Sequence, residues 1–408
     1  MSEVVVTKKM FLWNLVGCII NAATSFFMLA LVTRNTGLTD AGYFSIAFAT
    51  AQMLLTFGKY GVRAYQVTDV SHEISAKSYL VHRAFVVIGM LLLAAGFVWL
   101  SGYSSYKSMI VLCVCGIKAL DAIEDVFHGE LQRDGRMDLA GKLLTARNIL
   151  TLLLFAVAIS ASKNLMFSCV LTLVISFAFC LLMNCLVTRK KTETTGGVCA
   201  KELVRIFKEC LPLFIGHFFS IVIYNMPKYA IDAIVSSELQ AIYSMIFMPA
   251  FVINMISEFI FKPLLTPLAT YWEKENYQAT KKIIKTLYLA VFGIAVVTLL
   301  GGFLLGIPLL NWFYGVELGA YKLELMLLLA GGGFSATVYL TYNLLTLLRA
   351  QKAILLGYFG GMVIMCAVAW IFVIQYGITG GAVTYLLVEF VMAAYFVGRL
   401  VVKVRKEN

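Results

Sequence analysis

The chain has 408 residues, 61% of them hydrophobic and only 13% charged, with a mean hydropathy of +0.87. A soluble domain averages roughly 45–50% apolar and about 25% charged residues, so this composition excludes a soluble globular protein and indicates a polytopic membrane protein. The net charge of +11 sits mainly in connecting segments, where it speaks for membrane topology and anionic lipid rather than for nucleic acid.

A membrane span needs about 20 apolar residues. Twelve stretches meet that need: 11–33, 42–62, 83–101, 107–127, 143–161, 165–188, 211–233, 239–261, 286–307, 322–348, 353–375 and 378–400. The first follows Lys8 and Lys9. It is too long for the apolar part of a signal peptide and lacks a small-residue cleavage site, so it reads as a span. The second ends in Phe57-Gly58-Lys59-Tyr60-Gly61-Val62-Arg63, with Lys59 and Arg63 one turn apart. Lys59 either snorkels to the membrane surface or faces a polar path.

The fourth stretch closes on KALDAIEDVFHGELQRDGR, residues 118–136. Lys118, Asp121, Asp125 and His128 are spaced three, four and three apart, which puts them on one helical face, with Glu124 just off it. Ionisable groups at membrane depth are costly and usually face a bundle interior or a water-filled cavity. The alternative is a headgroup-level anchor.

With the N-terminus in the cytoplasm, 26 lysines and arginines fall in cytoplasmic segments, Arg83 and Arg147 among them. Only Arg34, Lys107, Lys163 and Lys322 fall outside. This bias predicts an even number of spans and both termini inside. The basic stretch 189–208 lies halfway. The expected organisation is a six-helix lobe over 1–190, a cytoplasmic connector over 191–208 and a second six-helix lobe over 209–408. Equal orientation of the halves predicts a pseudo-two-fold axis along the membrane normal. Ala41-Gly42-Tyr43 and Ala241-Ile242-Tyr243 open corresponding spans.

All six prolines lie in the second half. Pro227 falls mid-span in Asn225-Met226-Pro227-Lys228-Tyr229, with Asp232 one turn after Lys228. A broken helix at a polar sequence points to a transporter site, and a packing kink is the plainer alternative. Glu258 and Lys262 are spaced for an ion pair on one helix. Glu389, between Val388 and Phe390, either couples an ion or hydrogen-bonds to a neighbour. The glycine runs near 331–333, 357–361 and 377–381 read as helix contacts. Lys59, Lys118 and Lys228 together suggest a path that tolerates negative charge, for which a pyrophosphate is the obvious candidate.

Nine scattered cysteines and four histidines support neither a disulfide framework nor a metal site. No enzyme constellation and no nucleotide-binding fingerprint are present, so no cofactor is expected.

These residues resemble the polysaccharide transporters, the O-antigen or repeat-unit flippases, of the multidrug/oligosaccharidyl-lipid/polysaccharide export superfamily. The resemblance runs through Thr39-Asp40-Ala41-Gly42-Tyr43-Phe44-Ser45, Phe57 to Arg63, Asp121 to Asp125 with Gly129 to Arg136, Pro212-Leu213-Phe214 and Asn225 to Tyr229. It implies flipping of an undecaprenyl-pyrophosphate-linked oligosaccharide across a bacterial cytoplasmic membrane by alternating access. Membrane lipids, a glycan polymerase and glycosyltransferases are the implied partners. Lys59, Arg63, Lys118 and Lys228 would meet the pyrophosphate. Asn225, Asp121 and Asp232 would orient the sugar or gate the lobes, Asp125 would belong to the same substrate site, Pro227 would be the hinge, and Glu389 is the candidate ion-coupling group. The multidrug antiporters of the same superfamily usually carry an acidic residue and a proline in the first span, and residues 11–33 have neither. A lipid II flippase is a third alternative, for which the chain is short.

Overall fold

In lipid every backbone polar group must be satisfied within the protein, and long apolar runs do this as helices. The computed structural model describes residues 8–69, 73–189, 197–273 and 277–406, which are almost entirely helical and hold no strand. The chain divides into two units between Phe218 and Phe219.

The first unit contains α1 (Lys8–Thr36), α2 (Leu38–Lys59), α3 (Val62–Thr68), α4 (Ala76–Ser101), α5 (Ser105–Arg133), α6 (Met137–Ser162) and α7 (Leu165–Arg189). The opening turns of α8 (Ala200–Ile234) belong to it as well. Serines start two of these helices. The Ser75 hydroxyl accepts from the Ser78 amide, and Ser104 accepts from the Lys107 amide, each satisfying one orphan N–H of the first turn. The densely charged helix α5 is also the central one, packing against α2, α3, α4, α6 and α7.

The second unit holds the rest of α8, then α9 (Ser237–Glu273), α10 (Tyr277–Gly301), a π-helical turn (Gly302–Gly306), α11 (Ile307–Tyr314), α12 (Lys322–Leu347) and α13 (Gln351–Lys406). Here α12 is central, against α9, α10 and α13. Its glycines act as helix contacts: Gly331 lies against Tyr385, and Gly332 against the Ala250 backbone. The break in α13 is at Gly377 (φ 57°, ψ −133°), where the sequence separates the last two spans.

Nine helices among the described residues are long and apolar enough to cross a membrane. The charges of α5 keep it out of that number, and the last of the nine holds two of the stretches expected from the sequence, one on each side of Gly377.

Two local expectations are corrected. The second span, Leu38–Thr68, is not one unbroken helix. Tyr60 (φ 51°) and Gly61 (φ 69°) are both left-handed and end α2 after Lys59. Lys59 and Arg63 therefore stand on different helices rather than one turn apart. The helix is not broken at Pro227 either, since α8 runs continuously from Ala200 to Ile234. One missing N–H does not end a helix whose neighbouring turns remain hydrogen-bonded and packed. Residues 200–208, expected in the connector, are the first turns of that helix.

Candidate functional site: a matched ion network beside a cationic cavity

Within the first unit, α5 places three carboxylates in the interior: Asp121, Glu124 and Asp125. Each finds a cation. Arg147 from α6 donates to Glu124 at 2.6 Å and also to Asp121. Lys118 reaches Asp121 at 2.9 Å, and its ammonium lies 4.9 Å from the Phe48 ring centroid. Arg83 from α4 bonds Asp125 at 3.0 Å and the Gly58 carbonyl at 2.6 Å. An isolated buried ion costs several kcal/mol, so Lys118, Arg83 and Arg147 are what allow this row of acids to be buried.

A second layer follows along the same helix. Arg133 donates to Glu130 at 2.6 Å and lies 3.5 Å from Asp69. Gln66 donates to Glu130 at 3.1 Å and to the Val126 carbonyl at 3.2 Å. His128 is buried, and its Nε2 has no hydrogen-bond partner among the described residues.

The surplus positive charge lies at the edge of this network. Arg63 is 3.6 Å from Asp125 and forks onto the Gln132 side-chain oxygen Oε1 at 3.0 and 3.3 Å. Lys59 has no ion-pair partner within 4.0 Å among the described residues. Both line a cavity of about 230 Å³ together with Thr56, Asp125, Phe214 and His217. A smaller cavity of about 20 Å³ touches Lys118, Asp121 and Arg147.

Residues Asn225, Pro227, Lys228 and Asp232 lie along α8 in the second unit. The Lys228 ammonium donates to Asn225 Oδ1 at 3.1 Å and sits 5.2 Å from the Phe247 ring centroid. It forms no ion pair with Asp232, which accepts instead from the Ser237 hydroxyl at 2.7 Å. Glu389 is buried beside a cavity of about 50 Å³ that it shares with Tyr224, Ser335 and Tyr358. Ser335 is the hub there, 2.6 Å from the Tyr224 hydroxyl and accepting from Asn254 at 3.1 Å. The side chains of Glu258 and Lys262 lie outside the described residues.

The structure thus brings Lys59, Arg63 and Asp125 to one cavity, joins Lys118 to Asp121, and leaves Asn225, Lys228, Asp232 and Glu389 in the other unit. Sequence reasoning missed Arg83 and Arg147, which were counted as loop cations. The available signal was an arginine inside the apolar stretch 143–161. His217 was also missed, because a lone histidine in an apolar run carries no pattern.

These features define, in class, a polytopic helical membrane protein with a matched internal ion network beside a cationic cavity. The chain matches the polysaccharide biosynthesis protein family over residues 7–270 and belongs to it. It is 24% identical over 335 residues to the capsular polysaccharide biosynthesis protein CapF of Staphylococcus aureus, covering 79% of this chain and 81% of that one. In fold it is similar to an inward-facing multidrug resistance MATE family transporter of the MOP superfamily, with a TM-score of 0.71, 13% identity and coverage of 98% and 96%. It is also similar to the MATE transporter VcmN of Vibrio cholerae (TM-score 0.65, 13% identity, coverage 98% and 97%). A MOP superfamily transporter from Pyrococcus furiosus gives a TM-score of 0.60 at 13% identity, with coverage of 97% and 95%.

Proposed function

We propose that the protein flips a pyrophosphate-linked oligosaccharide, carried on undecaprenol, from the cytoplasmic to the outer leaflet of a bacterial cytoplasmic membrane. The observation that carries this reading is the unmatched charge at the large cavity. Buried acids and bases pair along α5, while Lys59, beside Arg63, has no ion-pair partner within 4.0 Å among the described residues. A cavity with spare cations favours an anionic ligand, and guanidinium and ammonium groups bind phosphate oxygens by charge-assisted hydrogen bonds. The polysaccharide family supports a lipid-linked glycan as the bearer of that anion.

In this reading Lys59 and Arg63 take the pyrophosphate, while Lys118, Asp121 and Asp125 set the charge of the wall behind them. Asn225, Lys228 and Asp232 form a second polar station met at another stage of the cycle, where α8 flexes at Pro227. Glu389, buried without an ion pair among the described residues, is the coupling group. The termini lie in the cytoplasm, and the glycan polymerase and glycosyltransferases act on the same lipid before and after the flip.

The test is the lipid pool of a strain lacking the gene. A complete repeat unit trapped on the cytoplasmic leaflet is the expected result. Unchanged pools with intact surface glycan would overturn the proposal. The fold likeness to multidrug transporters favours a second reading, cation-coupled drug export. Against it, α1 contains no acidic residue and no proline. Raised tolerance to cationic dyes on expression would decide for the antiporter.

A further inference from the structure

The large cavity has a wall that the flippase reading does not use. His217 lines it from α8, facing Lys59 of α2, Arg63 of α3 and Asp125 of α5. The imidazole is exposed to the cavity and makes no hydrogen bond among the described residues. Its position is built. Phe214, one turn earlier, stacks on Tyr60 with ring centroids 4.9 Å apart and planes at 10°, and Tyr60 directly follows Lys59. Phe207, two turns earlier still, packs on His82 at 4.2 Å. Gly61 lies so close to α8 that an added Cβ would sit 2.8 Å from Leu213 Cβ. At the helix start, Glu202 accepts from the Ser75 amide at 3.2 Å and from its hydroxyl at 3.0 Å. These contacts set the register of α8 and hold His217 across the cavity from Lys59.

We propose that His217 is a third anion-recognition residue of this site and takes up a proton as the ligand's pyrophosphate binds. The proposal rests on the pyrophosphate reading of the cavity. The charges facing His217 are Lys59, Arg63 and Asp125, and Asp125 is already shared between Arg83 and Arg63. In the empty cavity the two cations therefore repel a third positive charge. A bound pyrophosphate diester brings two negative charges and reverses the sign of the local field. Histidine titrates between about pH 5 and 8, so a reversal of that sign moves a proton from solvent to the imidazole near neutrality. The imidazolium then donates to a phosphate oxygen. Because His217 is on α8 and the other two cations are on α2 and α3, the bound anion also ties α8 to them.

Calorimetry on the full chain in nanodiscs tests this, using farnesyl-pyrophosphoryl-hexose as the probe. Its pyrophosphate is a diester whose charge is constant over about pH 5–8. Titrations at neutral pH in buffers of different ionisation heat give the number of protons taken up per ligand. The wild type is expected to take up a fraction of one proton and to bind more weakly as pH rises from about 6 to 8, with a slope of at most about tenfold per pH unit. His217→Gln should bind more weakly at the acidic end, with no proton uptake and a flat profile. His217→Lys should bind at about pH 8 as tightly as the wild type at about pH 6, also without uptake. It carries the same test if the glutamine variant does not fold. Proton uptake and slope unchanged in either variant would overturn the role of His217 and leave the pyrophosphate reading standing. No binding by the wild type, or binding indifferent to Lys59→Ala, would defeat the pyrophosphate reading itself.

Discussion

Arg147 on α6 donates a hydrogen bond at 2.6 Å to Glu124 on α5, and the two side chains are only 2% and 3% exposed. The same guanidinium also holds Asp121. One cation thus bridges two buried acids, with Lys118 supplying the second positive charge at Asp121, and fastens α6 to the central helix. Removing one partner of a buried pair costs about 3–5 kcal/mol, because the other charge is left without compensation. Arg147→Ala is expected to lose stability of that order, read as a lowered thermal unfolding midpoint in detergent. A midpoint within a degree or so of wild type would mean the network does not hold the unit together.

Lys118→Ala should behave differently. Asp121 keeps Arg147 when Lys118 is removed, so the loss of stability is expected to be smaller than for Arg147→Ala and the protein is expected to accumulate. Surface glycan should nevertheless be lost, since the charge of the wall beside the path has changed. Normal glycan with normal protein would remove Lys118 from the transport path.

Lys59 has no ion-pair partner among the described residues to abandon, so Lys59→Ala should leave the unfolding midpoint unchanged. Losing a hydrogen bond from a charged group costs about 1.5–3 kcal/mol, which is about 10- to 150-fold in affinity for the pyrophosphate probe. The remaining binding should also depend less on salt. Lys59→Arg should retain most of the affinity. An alanine variant that binds like wild type would contradict the assignment of this cavity.

The link between α2 and α3 should tolerate no side chain at Gly61. A residue there would carry left-handed strain of about 1–2 kcal/mol and would also collide with Leu213. Gly61→Ala is expected to loosen the start of α8 and speed proteolysis in the connector. Gly377→Ala offers a control. Its backbone lies in a region almost reserved for glycine, but an added Cβ would meet nothing within 4 Å. Strain of about 1–3 kcal/mol is the whole expected effect there. Equal proteolysis of the two variants would show that contact with Leu213 is unimportant.

Much of the fold was legible in the chain because it depends on local properties. Apolar runs of sufficient length must be helical in lipid wherever they occur, and Gly377 marks its own break. The three-four-three spacing of Lys118, Asp121, Asp125 and His128 was enough to put them on one buried face of α5, and all four are buried. Local reasoning failed where two left-handed residues ended α2 at Tyr60, and where α8 continued through Pro227.

The sequence by itself determined that this is a polytopic helical membrane protein with charge concentrated on its fourth span, since hydropathy and helical period are properties of neighbouring residues. Only the tertiary structure decided which of those charges are spent. Arg147 meets Glu124 from 23 residues away, and Arg83 meets Asp125 from 42. No periodicity encodes such distances. Whether a cation is matched depends on which helices pack side by side, and that packing pairs Lys118 with Asp121 while Lys59 lines a cavity with no ion pair within 4.0 Å among the described residues.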